Sequence, residues 1–338
     1  MLLWIEGFEE FGTTDANLRA SIAFKYTTNA VTLSKNMTGR AVGRAIGLLE
    51  SGAGFITTPN LGNIGTICVG FAFRVESTLA TLPIMQLREA DDATNGFNLR
   101  LNSDGSLQVY NNTSSIATSS AGLISPDTWY YIEAKVLVAN SGTYDIQLDG
   151  ASILSGSADT QQGASAFCNR VRLLGSDNLT RVFIFDDWYV LDTTSAANND
   201  LLGDRRVLTV FPTGAGSETD FTPSAGNNWA AVDDNPPDGD TTYVESAVST
   251  DTDLYGFADV SDLASINGVQ INAIARKTAG DFNLALPVLS NVTQSDGSAV
   301  AVTSSFANYH RIVEEDPDAT DPWTESTLNA AEFGVKVG

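Results

Sequence analysis

From Trp129 the chain reads Trp-Tyr-Tyr-Ile-Glu-Ala-Lys-Val-Leu-Val, passes a Ser-Gly turn, and continues Thr-Tyr-Asp-Ile-Gln-Leu-Asp-Gly-Ala-Ser-Ile-Leu to Leu154. Apolar and polar residues alternate along both stretches, and Asp149-Gly150 is a two-residue hairpin signal. Period two puts Tyr131, Glu133 and Lys135 on one face and Tyr130, Ile132, Ala134 and Val136 on the other. That pattern predicts an antiparallel sheet packed on one side.

The rest of the chain agrees. Strand-like segments rich in Val, Ile, Tyr and Thr alternate with Gly- and Ser-rich turns, and helical periodicity is scarce, so the fold class is all-β with little helix. At 338 residues with 43% hydrophobic content, two cores are affordable. The predicted architecture is two β-sandwich, jelly-roll-like domains in tandem, residues 1–199 and 200–338. The join is the small, polar run Thr193-Thr-Ser-Ala-Ala-Asn-Asn-Asp, beyond which Arg205-Arg-Val-Leu-Thr-Val-Phe-Pro is expected to open a new strand.

Within the first unit, strands are expected at 1–11, in 41–57 with a bulge, and at 66–75, 84–89, 97–101, 107–111, 171–174 and 181–192 around the central hairpin. In the second, Gly214 to Gly239 is expected as one long loop around Trp229, with strands at 242–246, 253–257, 269–277, 282–289, 309–313 and 332–337. A capped single-turn helix is expected after Asp321-Pro-Trp-Thr.

Eighteen basic residues face 41 acidic ones, a net charge of −23, which argues against a nucleic-acid groove and leaves nucleic acid out of the expected partners. The N-terminal Met-Leu-Leu-Trp-Ile is followed at once by acids and has no basic leader, so neither signal peptide nor membrane insertion is expected. Cys68 and Cys168 lie on separate apolar stretches and are expected to be two buried thiols.

Gly70-Phe-Ala-Phe-Arg-Val, Phe97-Asn-Leu-Arg-Leu-Asn-Ser-Asp-Gly-Ser-Leu-Gln-Val-Tyr, Trp129-Tyr-Tyr-Ile-Glu-Ala-Lys-Val, Asp149-Gly and Phe185-Asp-Asp-Trp-Tyr, in that order, resemble the concanavalin A-like lectin/glucanase jelly roll of laminin-G type. The second unit, with Thr219-Asp-Phe-Thr-Pro-Ser-Ala-Gly-Asn-Asn-Trp and Leu328-Asn-Ala-Ala-Glu-Phe-Gly-Val-Lys-Val, looks like a module found behind such jelly rolls in tailed-bacteriophage virion proteins. The resemblance implies a structural component of a virion, a capsid decoration, head-fibre or tail-associated protein made in the host cytoplasm. Its expected partners are other virion proteins and further copies of itself, a trimer being one form. The alternative is a carbohydrate-binding adhesin for host surface glycans, and a polysaccharide hydrolase ranks third.

Glucanase chemistry needs two carboxyls about 5–5.5 Å apart, carried in that branch by a Glu-x-Asp-x-x-Glu strand. The chain lacks this triplet, and Asp186 and Asp187, as neighbours on a strand, are expected on opposite faces in a structural role. His310 is the lone histidine and is expected as a packing or interface residue, so no multi-histidine metal centre forms and no catalytic residue is assigned. The expectation is therefore a protein that is not an enzyme and needs no cofactor.

Two acidic turns offer hard oxygens for calcium: Asp91 and Asp92 with Asn95, and Asp233, Asp234 and Asn235 with Asp238 and Asp240. Trp129 and Trp188 sit in alternating strands and are expected in the core. Trp229 and Trp323 lie in polar loops and are the candidates for carbohydrate or subunit contact.

Overall fold

The computed structural model describes residues 1–26, 28–49, 54–89, 95–112, 114–161 and 163–338, which form two compact units, Met1–Leu208 and Thr209–Gly338. Antiparallel strands dominate both, and two α-helices occur among the described residues. No helix among them is long and apolar enough to cross a membrane.

The first unit is a two-sheet sandwich, the architecture that the laminin-G resemblance implies. Its larger sheet runs Ala151–Ala158, Gly142–Leu148, Tyr130–Leu137, Thr66–Val75, Phe183–Asp192, Arg44–Leu48, Lys35–Thr38, with Leu2–Glu6 also paired to Phe183–Asp192. Its smaller sheet runs Ser114–Thr118, Leu107–Asn111, Asn95–Leu101, Leu82–Arg88, Arg170–Leu174, Phe55–Thr57, Thr28–Ala30. Period-two alternation sends Ile67, Val69, Phe71, Phe73 and Val75 inward from one sheet and Phe97, Leu99, Leu101, Leu107 and Val109 inward from the other. Each such side chain contributes about 1.5–3 kcal/mol by leaving water. Trp188 joins this core, with Trp4 and Tyr26 ring centroids 6.5 and 6.4 Å from its own, and Cys68 and Cys168 are buried free thiols.

The strand expected over residues 1–11 stops at Glu6, and a helix not anticipated from sequence, α1, covers Asp15–Lys25. Thr14 caps α1 by accepting from the Asn17 amide at 3.2 Å, and only Leu18 and Ile22 among its apolar residues are buried, too short a stripe to read as helical. The helix delivers Lys25 to a buried position 3.0 Å from Glu6, where Glu10 also pairs with it and the Tyr26 hydroxyl donates to Glu6 at 2.6 Å. Burial, reinforced by Glu10, pushes the Glu6 carboxyl up to about 7.

In the second unit one sheet runs Pro212–Thr219, Thr252–Phe257, Glu332–Val337, Asn283–Ala285, Val300–Ala301, with Val288–Ser290 joining Glu332–Val337 to Thr293–Ser295. The ribbon Val269–Ala275 with Ala307–Val313 packs against it through Ile271 and Ala273. The long loop expected from Gly214 is corrected: Gly214 to Thr219 lies in a strand at the sheet's edge, where Gly-Ala-Gly-Ser carries no β-branched signal. The turns after it hang on buried Asp253, which accepts from Phe221 N at 2.8 Å, Asn228 Nδ2 at 2.6 Å and the Tyr255 hydroxyl at 3.1 Å. The short helix α2, Glu325–Ala330, has the expected cap, Thr324 and Thr327 exchanging side-chain and backbone bonds.

Candidate functional site

On the smaller sheet, the positions that alternate with the core residues are polar. Leu82–Arg88 turns Gln86 and Arg88 outward around buried Leu87, Asn95–Leu101 turns Asn98 and Arg100 outward around Leu99, and Arg170–Leu174 turns Arg170 and Arg172 outward around Val171. Strand register lines these up. Thr57, Arg172, Gln86, Asn98, Tyr110 and Ser115 stand directly opposite one another in sequence, forming one polar row across six strands. Five inter-strand steps of about 4.8 Å make it roughly 24 Å long.

The row is held from within. Arg172 Nε donates to Thr57 Oγ1 at 2.9 Å with its guanidinium 3.8 Å from the Phe55 ring centroid, and Arg88 Nη1 donates to Gln86 Oε1 at 3.2 Å. Arg100 lies 4.3 Å above the Tyr110 ring, a cation–π contact. Asn98 is 1% exposed and donates to the Gly96 carbonyl at 2.6 Å, yet its Oδ1 has no hydrogen-bond partner; nor do the Nε atoms of Arg100 and Arg170. Buried polar groups are nearly always satisfied in folded proteins, so these three atoms on one sheet face have bonding capacity left for water or for a ligand. The sequence reading missed this face. Its signal is the polar-apolar-polar triplets Gln86-Leu-Arg, Asn98-Leu-Arg and Arg170-Val-Arg.

The outer face of the larger sheet is closed by the chain itself. Ile132, Ala134 and Val136 enter the core as alternation predicts, but Tyr131 and Glu133 on the other face are buried as well, so the expected one-sided packing is corrected. Residues 200–207 run across them. Lys135 Nζ meets Asp200 at 2.9 Å, the Tyr189 hydroxyl accepts from Leu202 N at 3.1 Å, and Glu133 Oε1 accepts from Gly203 N at 2.9 Å and from the Tyr189 hydroxyl. Arg40 pairs with Asp204 at 2.7 Å and donates to the Arg205 carbonyl at 2.8 Å, and Asp187 accepts from Val207 N at 2.8 Å. Because these backbone groups are spent on side chains, the strand expected from Arg205 does not form; the first strand of the second unit starts at Pro212.

Asp186 and Asp187 do not point apart as expected. A bulge between Asp186 and Tyr189, with Asp187 at φ 50°, brings both carboxylates to Arg40: its amide donates to Asp186 at 2.7 Å and its Nε to Asp187 at 2.9 Å. Burial first and the neighbouring Asp187 second push the Asp186 carboxyl up to about 7, and burial raises Asp187 too.

Trp323 is not exposed, contrary to expectation. It is 3% accessible, packs on Phe333, and donates from Nε1 to the Val313 carbonyl at 3.1 Å, because the bridge at Asp321–Pro322 and the cap of α2 turn its ring inward. Trp229 is half-buried at the start of a 3-10 turn, and Trp129 packs beside Val182 and Ile184 with Arg74 5.4 Å over its ring.

Of the calcium candidates, Asp91 and Asp92 lie outside the described residues, as does the Asn95 side chain. Asp234 and Asp238 come together on the Thr242 hydroxyl at 2.5 and 3.0 Å, while Asp240 is drawn away to Arg276 at 2.7 Å; the structure does not bring Asp233 into this group. Among the described residues no group of three or more His, Cys, Asp or Glu side chains is placed to hold a metal ion. His310 stands opposite Asn272 in the ribbon of the second unit.

No family model matches the chain, and no curated protein does. Solved structures similar to it include an endo-β-1,4-glucuronan lyase from the fungus Trichoderma reesei, 15% identical with a TM-score of 0.39, covering 53% of this chain and 95% of its own. Alginate lyase Aly36B is 13% identical with a TM-score of 0.37, covering 56% and 95%. The carbohydrate binding module CBM66 from Bacillus subtilis is 13% identical with a TM-score of 0.31, covering 43% and 84%. Two of these are polysaccharide lyases, and on that finding the expectation that the chain is not an enzyme is withdrawn. The missing glycosidase triplet excludes one chemistry, not catalysis in general.

Proposed function

We propose that the first unit binds carbohydrate along the outer face of its smaller sheet. The polar row from Thr57 to Ser115 carries this reading. Hydroxyls, amides, guanidinium and phenol in one line supply both donors and acceptors, which an extended chain of sugar hydroxyls requires. Strands fix these groups more rigidly than loops would. Trp229 and Trp323, the aromatic candidates of the sequence, are not needed. The test is a glycan array probed with the wild-type chain and with an Asn98→Ala, Gln86→Ala double variant: binding that the variant loses supports the reading, and an array without hits ends it.

A second reading is a structural component of a phage particle working as a homo-oligomer; the thin burial of the second unit bears on the self-association alone. Its apolar clusters hold four or five buried residues each, and Val248, Val292 and Val300 are exposed. Mass spectrometry of purified particles tests it, since such a component is present there in many copies.

A further inference from the structure

Four of the chain's 18 basic residues, Arg88, Arg100, Arg170 and Arg172, project from the outer face of the smaller sheet. Arg88 and Arg170 are direct cross-strand partners. In a chain with 41 acidic residues, such a concentration of guanidinium groups on one face is not what composition alone would place there. The Nε atoms of Arg100 and Arg170 and the Oδ1 of Asn98 lack hydrogen-bond partners, so donors and an acceptor are buried together without being used.

We propose that the polymer bound by this face is an acidic polysaccharide, an inference that rests on the carbohydrate reading and adds the ligand's charge. Guanidinium groups recognise carboxylates through charge-assisted hydrogen bonds, and on this face Arg100 and Arg170 each keep an Nε without a hydrogen-bond partner. The amides of Gln86 and Asn98 and the hydroxyls of Thr57 and Ser115, lying in the same row, meet sugar hydroxyls.

The net charge of −23 opposes an anion at long range. At physiological ionic strength that field decays over about 8 Å, so contact with the arginines decides the outcome. A nucleic acid fits less well. Single-stranded chains are held by free aromatic faces on which bases stack, and the one ring in the row, Tyr110, is already covered by Arg100.

The experiment titrates the full chain at 0.15 M salt with polygalacturonate, neutral dextran and oligo-dT, reading affinity by calorimetry. Polygalacturonate binding without dextran binding is expected. Arg100→Gln and Arg170→Gln each weaken it about tenfold or more, as loss of a charge-assisted bond does, while Arg100→Lys and Arg170→Lys retain part of it. Lys135→Gln, on the other sheet, leaves it unchanged. Melting temperatures no lower than that of the wild type verify that the variants fold.

Equal binding of dextran and polygalacturonate overturns the acidic ligand while leaving the carbohydrate reading in place. Oligo-dT binding as tight as polygalacturonate, or polygalacturonate binding indifferent to both glutamine variants, also overturns it. No binding to any glycan, here and on the array, removes both.

Discussion

Arg88 and Arg170 face each other on neighbouring strands of the smaller sheet, in register and on its outer side. Like charges at directly opposed positions destabilise a sheet, by an amount on the scale of about 0.2–1 kcal/mol that governs cross-strand pairs. On the proposed binding face an acidic ligand would offset such repulsion.

Arg170→Gln is therefore expected to stabilise the unliganded protein by up to about 1 kcal/mol, or about 2–4 °C in a unit of this size. Thermal unfolding without ligand measures it; a clear fall in melting temperature would mean that Arg170 supports the fold rather than a ligand.

On the larger sheet, Gly70 lies in register with both Glu133 and Tyr189, and a Cβ there would stand 2.1 Å from the Tyr189 ring. The glycine lets that ring cross a strand to reach Glu133. Gly70→Ala is expected to cost about 1–3 kcal/mol by overpacking, read as a lower midpoint in chemical denaturation. A neutral effect would place the ring elsewhere.

Residues 200–207 are expected to be held on the sheet by Glu133 and Asp187. Hydrogen exchange should find the Gly203 and Val207 amides protected in the wild type, with Glu133→Ala releasing Gly203 and Asp187→Ala releasing Val207. Fast exchange at both in the wild type would show that the segment does not stay down.

Stability should fall as pH rises through neutrality. Glu6 and Asp186 titrate near 7 in the fold, above the ordinary carboxylate range, so the folded state holds protons that the unfolded state has released. Their contribution is complete below about pH 4 and is lost as pH rises through 7. Asp192, where burial is outweighed by hydrogen bonds from the N-terminal ammonium and Thr194, and Asp200, held low by Lys135, act oppositely and cost stability as pH falls toward their lowered values. A melting-temperature maximum between about pH 4 and 6 is expected, with the alkaline slope reduced in Asp186→Asn. A flat profile from pH 5 to 8 would contradict the assignment.

Much of the fold was legible because period-two alternation survives averaging over neighbours: Ile132, Ala134 and Val136 went inward as read. Helix α1 was not, since Leu18 and Ile22 are too few to make a stripe. Strand Pro212–Thr219 was not, since it is edge-paired backbone without β-branched residues in its Gly-Ala-Gly-Ser core. The turn at Asp186-Asp187 was misread because a bulge breaks the alternation on which the reading relied. For the site, aromatic residues in loops drew attention to Trp323, which a tight turn buries; the arginine triplets were in plain view, but only register shows that three strands align them.

The most direct test follows the Gln86 and Asn98 side-chain amide signals of the full chain by NMR during titration with polygalacturonate. Saturable shifts of both, together with the Tyr110 ring, are predicted. Shifts confined to the second unit, or to residues 200–207, would contradict a carbohydrate site on the smaller sheet.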